Sequence, residues 1–412
     1  MEVHRASLDE MLDSEHQARV VWSAICEFDL SSWLNEVKAV ERHVGRDATD
    51  PRVLMALWIY ATLRGVGSAR ELDRLCHESL PYQWLCGGVS VNYHMLSNFR
   101  ARGGQKLDEL FTETVAVLME GDLVTMDRVA QDGMRVRASA GKSSFRRQRR
   151  LEEYLAEARE QVETLRKLAE KDGEELNRRQ RAARQRAASE RVQRIEEAMR
   201  QREELQRQRE ARAKRNGGKA EEARASTTDP EARNMKFPDG GYQPGYNVQF
   251  ATDTQSGVIV GVELTNAGSD GEELPPMLDQ LSERYQRVPD KMLVDGGFAT
   301  IDAIDQAHAR GCTVYAPLKD EERQRAKGTD PHARKKGDSD AIAEWRSRMG
   351  SETAKQIYRL RAQTAEWVNA QCRNRGLWQM PVRGQPRCRI VALLYAIAHN
   401  LIVAKRLRAA LG

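Results

Sequence analysis

The sequence is poor in aromatic residues. Phe, Trp and Tyr make up 6% of its 412 residues, although hydrophobic residues overall reach 40%. That composition supports packed cores but is thin for such a length, so one segment is expected to bury no core. Long apolar runs are missing too. The longest, IVALLYAIA at 390–398, is too short to span a bilayer. The first residues, MEVHRASLDEMLDSEHQARVVW, are charged throughout and lack the apolar centre of a secretory leader. The six cysteines (Cys26, Cys76, Cys86, Cys312, Cys372 and Cys388) form no C-x-x-C pair and no zinc-like quartet with histidine. Scattered thiols fit a reducing compartment, and a cytoplasmic protein is expected. Nor does one charge dominate: 66 Lys and Arg face 61 Asp and Glu, leaving +5. This permits a nucleic-acid partner without requiring one, because local clustering decides.

Proline is absent from 145–224, where Arg, Glu, Gln, Lys and Ala dominate. Leu151, Leu155, Ala158, Val162, Leu165 and Ala169 recur at steps of four and three, a heptad seam. Beyond Leu176 the seam weakens to Ala183, Val192, Ile195, Met199 and Leu205. A long helical hairpin or coiled coil is predicted, more basic in its second half. It serves either as a solvated spacer or as a basic surface along a phosphate backbone.

Globular patterns flank this segment. Residues 52–64 are apolar on nearly all faces, as in a buried helix, and Ser68 is placed to cap a helix over 69–76. Further helices are predicted over 91–100 and 107–120. This helical region is either a DNA-binding unit, with Arg100, Arg102 and Lys106 at its edge, or a scaffold with a solvated basic rim. From 124 the pattern changes to that of a strand ending on Asp132, with a turn at Gly133. After the insertion come a β-hairpin (246–252 and 257–265), a helix (274–285) and a strand (291–295) ending on Asp295. A helix (301–310), a strand (313–317), a polar loop (319–340) and helices over 341–372 and 387–411 complete the chain. The order implies a mixed α/β sheet with a helical element spliced in after its first strand.

Asp132 and Asp295 thus sit at predicted strand ends, where α/β sheets build sites, each followed by glycine. Glu366 lies on a predicted helix whose positions Tyr358, Ala362, Glu366 and Arg373 share one face at 100° per residue. Three such carboxylates can hold two hard divalent cations for in-line phosphoryl transfer. Asp127, Asp253, Asp270 and Asp279 compete for the same role, and spacing alone leaves the choice open.

Resemblance sharpens it. The segments VAQDGMRVRA at 129–138, YNVQFATD at 246–253, LVDGGF at 293–298 and Tyr358-x-x-Arg361-x4-Glu366-x6-Arg373 resemble bacterial insertion-sequence transposases of the D-D-E class. So do RGL at 375–377, RG at 383–384, AHNL at 398–401 and YHxLSxFR at 93–100. The resemblance implies an RNase H-like fold of the α/β class, with Asp132, Asp295 and Glu366 binding Mg²⁺ (or Mn²⁺), two ions in all. It implies a helical DNA-binding domain over 1–115 with Arg100 in its motif and a catalytic domain over 116–145 and 229–412; the charged helical or coiled-coil segment over 146–228, inserted into the latter, lies outside the resemblance. Tyr358, Arg361 and Arg373 would contact DNA near the cut; Arg373 stands where the family more often has lysine. The partners implied are the element's terminal inverted repeats and target DNA; chemistry on two ends predicts a homodimer on DNA, with the heptad segment a candidate contact between protomers. A nucleoid-associated cytoplasmic protein follows. A nuclease of the same fold without strand transfer, and a non-catalytic DNA-binding remnant, are the alternatives; the presence of all three carboxylates speaks against the remnant.

Overall fold

Pro51 opens a helix in which nearly every side chain is apolar, and the fold surrounds that helix on all sides. The computed structural model describes residues 7–34, 49–171 and 178–410. The seam residue Leu176, the side chain of Ala169 and the terminal Leu411 lie outside the described residues. Helices α1 (Leu8–Met11), α2 (Gln17–Glu27), α3 (Ser31–Leu34) and α4 (Pro51–Leu63) come first. They are followed by α5 (Ala69–Glu78), α6 (Leu80–Cys86), α7 (Tyr93–Arg102) and α8 (Gly104–Glu120). Asp50 caps α4 through the Arg52 amide at 2.8 Å, and Ser68 caps α5 through the Glu71 amide, as its sequence predicts.

A six-stranded mixed sheet follows. β1 (Arg128–Arg137) lies at its centre, antiparallel to β5 (Tyr242–Asp253) and parallel to β7 (Lys291–Leu293), which pairs in parallel with β8 (Thr313–Tyr315). The far edge of β5 is shared by β4 (Arg233–Lys236) and β6 (Ile259–Thr265). Helices α11 (Leu274–Tyr285) and α12 (Ile301–Ala309) make the crossovers between β6, β7 and β8. The order from β5 to β8 is the expected one; β4 is an additional strand that the sequence reading did not contain. A short helix, α13 (Glu321–Ala326), sits inside the predicted polar loop, and α14 (Asp340–Met349) follows it.

One continuous core runs from Leu12 to Val403 and joins the N-terminal helices to the sheet. Its central beam is α17 (Gln385–Ala409), which packs on α4, α8 and β6. By length and composition α17 could cross a bilayer, which the apolar run alone does not indicate; here 72% of its apolar window is buried inside the protein. The AHNL motif explains the attachment. Asn400 uses its amide oxygen for the Ile259 N–H at 2.8 Å and its amide nitrogen for the Ile259 carbonyl at 2.7 Å, completing an edge of β6. His399 meets the Gly257 carbonyl at 2.9 Å, and burial lowers its pKa to about 4.

The insertion leaves the sheet undisturbed because its two ends meet. β2 (Phe145–Arg146) pairs antiparallel with β3 (Ala225–Ser226), and between them rise α9 (Gln148–Lys171) and α10 (Arg178–Asn216). Arg159 with Glu196 (2.8 Å) and Arg191 with Gln161 (2.9 Å) show the helices running in opposite directions. Leu151 and Ala158 are buried and Leu155, Val162 and Leu165 half-buried; Ala188, Ile195 and Ala198 are buried on the other helix, and Leu151 packs with Ala198 and Ala225. The predicted seam residue Ala183 is instead exposed. The two helices pack on each other as a hairpin, one of the two forms the sequence offered. Its surface ion pairs are worth about 1 kcal/mol or less each.

Behind β1, on the face of Gln131, Gly133 and Arg135, lies a buried polar network. Asp270 Oδ1 accepts from Asn247 Nδ2 at 2.6 Å and Gln249 Nε2 at 2.8 Å, and Gln131 bridges Gln249 and the Glu273 carbonyl. A Cβ on Gly133 would overlap Asp270 Oδ1 and come within 2.7 Å of Gln249 Nε2 and 2.8 Å of Asn247 Oδ1. Gly133 is thus required by close approach and not by a turn.

Gly133→Ala lowers the unfolding free energy read from urea denaturation by about 1–3 kcal/mol through overpacking; an unchanged midpoint would contradict the packing. Burial pushes the Glu273 carboxyl up to about 7 from 4.5, with a hydrogen bond from Thr265 opposing it. A raised acid binds its proton more tightly when folded, so its contribution is full below pH 4.5 and is lost as the pH rises through 7. Glu273→Gln should therefore match wild type at pH 4.5 and exceed it at pH 8, by up to about 3 kcal/mol. Parallel melting curves across that range would sink this assignment.

Candidate active site

Two aspartates meet because two parallel strands stop pairing at the same level. In the β1–β7 ladder Val129 faces Met292 and Ala130 faces Leu293. Asp132 and Asp295 each lie two residues further on. The sequence places Asp132 at a strand end; instead β1 continues to Arg137, carried by its antiparallel partner β5. Only the β7 side ends, and at that level the Asp132 side chain meets Arg361 and Asn369 of the packed helix. Its neighbour Asp295 turns on itself, Oδ1 accepting the Gly297 N–H at 2.6 Å.

The third carboxylate comes from a helix with a defect in the right place. α15 (Glu352–Arg361) continues through a π-helical turn (Ala362–Glu366) into α16 (Trp367–Asn374). In a regular α-helix, residues five apart diverge by about 140°. The π turn widens the helix so that Arg361 and Glu366, five apart, face the same way; such turns recur at functional sites. Arg361 NH1 donates to Glu366 Oε1 at 2.7 Å and NH2 to Asp132 Oδ1 at 2.9 Å. Glu366 is half-exposed, and Ala362, expected on the shared face, is exposed. Residues seven apart differ by only about 20°, so Arg373 shares the Glu366 side of the helix. Its guanidinium lies over the exposed Trp378 ring, 5.6 Å from the centroid.

Electrostatics tie the group together. Burial raises the Asp132 carboxyl above its ordinary range; Arg361 opposes this and the Asp295 charge adds to it. Burial likewise raises the Tyr358 phenol, which feels Arg361, Asp295, Glu366 and Asp132. One residue escaped the sequence reading. Asn369, three after Glu366, donates from Nδ2 to Asp132 Oδ2 at 2.9 Å. A polar residue among the buried Val368 and Cys372 was its only signal.

The remaining expectations separate cleanly. Arg100, expected at DNA, is 8% exposed, stacked on Trp58 at 4.1 Å and bonded to the Gly67 carbonyl at 2.7 Å. Burial lowers its pKa to about 10. Its charge faces the helical core, while Arg102 on the same helix is exposed. The competing aspartates are occupied elsewhere: Asp127 by Arg287 (2.8 Å), Asp279 by Arg310 (2.6 Å), Asp253 by its own Ser256 turn and Asp270 by the network behind β1.

The donor set, carboxylates with an unpaired buried Asn369 Oδ1, fits a hard divalent cation in chemistry. Among the described residues no three acidic, His or Cys side chains stand close enough to share one ion. Arg361 stands between Asp132 and Glu366.

Two family models match the chain. The "Transposase domain (DUF772)" covers residues 6–102, and the "Transposase DDE domain" covers 212–401, including Asp295 and Glu366. Together they leave out 103–211, which holds β1 with Asp132 and most of the insertion. No curated protein and no solved structure matches. With transposase models on both sides of the insertion, the chain belongs to the DDE-type transposases of insertion sequences.

Proposed function

We propose that the protein is the transposase of an insertion sequence, binding the element's terminal inverted repeats and catalysing metal-dependent cleavage and strand transfer. The observation that carries this reading is the shared level of Asp132 and Asp295, faced by a helix that sends Arg361 to both Asp132 and Glu366. The sheet, with its central antiparallel pair and parallel flank, is read as RNase H-like.

In this reading Asp132, Asp295 and Glu366 hold two Mg²⁺ or Mn²⁺ ions. When bound, the ions supply activation of the attacking oxygen and stabilisation of the leaving one. The oxygen of water attacks phosphorus, the bond from phosphorus to the 3′-oxygen breaks, and that oxygen takes a proton to become a 3′-hydroxyl. The same hydroxyl then attacks a target phosphodiester and displaces its 3′-oxygen. Tyr358, Arg361 and Arg373 border the carboxylates and are read as contacts to phosphates next to the cut. Residues 1–115 are read as the recognition unit for the element's ends, and 116–145 with 229–412 as the catalytic unit. Work on two ends calls for a homodimer on DNA. The insertion, whose apolar seam is consumed internally, is then an arm of the protomer.

The test is Mg²⁺-dependent cutting and joining of labelled DNA carrying the source element's ends. Wild type should produce both products. Asp132→Asn, Asp295→Ala and Glu366→Gln should each lower them at least 100-fold while still binding the DNA, about 3 kcal/mol of lost transition-state stabilisation. Cutting without joining would point to a nuclease, and binding without chemistry to a DNA-binding remnant.

A further inference from the structure

Both oxygens of Asp132 are taken, and by donors of different kinds. Oδ2 is held by Asn369, a neutral amide 4% exposed, rooted in α16 on the same side as Glu366. Oδ1 is held by Arg361, a cation whose other nitrogen holds Glu366 Oε1, and by the adjacent Gly133 N–H at 3.1 Å. The Asn369 carbonyl oxygen has no partner among the described residues, although it is buried. An unpaired buried acceptor costs free energy, so Asn369 is poorly explained as packing alone. A divalent ion shared by Asp132 and Glu366 would compete with Arg361 for the very oxygens it bonds. It would not compete with Asn369, which grips the opposite oxygen.

We propose that Asn369 is a positioning residue that fixes Asp132 so that Oδ1 is presented, and that Arg361 is the counter-cation a divalent ion displaces from Asp132 and Glu366. This rests on the reading of those two carboxylates as metal ligands. The metal-free site needs Arg361, because Asp132 and Asp295 would otherwise face each other without a compensating charge. Loading the site exchanges one cation for another, while the Asn369 hydrogen bond persists through the exchange. Partners behind a metal ligand of this kind typically account for about 10–100-fold in metal affinity.

The two residues therefore carry opposite signs. The experiment is a Mn²⁺ titration of the full chain without DNA, following the electron paramagnetic resonance signal of the free ion. Asn369→Leu, close in volume but without a donor, should weaken binding about 10–100-fold. Arg361→Gln should tighten it and enlarge the rise in melting temperature on adding Mn²⁺. Wild-type affinity in Asn369→Leu would overturn the positioning role, and weaker binding in Arg361→Gln would overturn the displacement. If Asn369→Leu does not fold by circular dichroism, Asn369→Ala carries the same test. Asp132→Asn separates the two levels: if it binds Mn²⁺ as wild type does, the metal-site reading itself fails, whatever Asn369 does.

Discussion

A single guanidinium fastens the helix to the sheet at the point where chemistry is expected. Arg361 spans Asp132 on β1 and Glu366 one π turn further along its own helix. The Asp132 half of this bridge is buried, so removing one of its partners strands a charge at a cost of several kcal/mol, whereas the Glu366 half is half-exposed and worth less. Much of the surrounding architecture serves it. The parallel register of β1 and β7 sets Asp132 level with Asp295, β5 keeps β1 extended beyond that level, and the π turn brings Glu366 round to the same side. The polar network of Asp270, Asn247 and Gln249 packs against the strand at Gly133 from its other face.

This arrangement explains how the chain carries a large insertion between its first two candidate carboxylates. The ends of the insertion are brought together by the β2–β3 pair, and β5 returns the chain alongside β1. The helical N-terminal region is held by the same beam, α17, that anchors the edge of β6 through Asn400. Motifs at the C-terminal end of the chain thus divide by role: AHNL fastens the core, whereas the Tyr358 to Arg373 helix lines the site. A motif that resembles a family does not announce which of these it does.

What could be read from the sequence, and what could not, follows from where the information lies. The element order, the buried α4, the Ser68 cap and the hairpin helices rest on local periodicity and were legible. Strand ends were less so. Gly133 looks like a turn, and only its crowding by Asp270 and Gln249, remote in sequence, makes glycine necessary within a continuing strand. The π turn is invisible to a fixed 100° per residue, so Ala362 was placed on a face that Arg361 in fact supplies. Arg100 shows that a basic residue in a helix says nothing of direction until its aromatic partner, Trp58, is known. Asn369 needed Asp132 beside it before its amide meant anything.

The central claim is that Asp132, Asp295 and Glu366 form one metal centre. The most direct measurement is anomalous diffraction from crystals of the full chain bound to its DNA ends and soaked in Mn²⁺. The account predicts manganese peaks between these three carboxylates, with Arg361 moved off Asp132. Manganese bound at other carboxylates, such as Asp270 and Glu273 behind the sheet, with Arg361 still bridging Asp132 and Glu366, would contradict it.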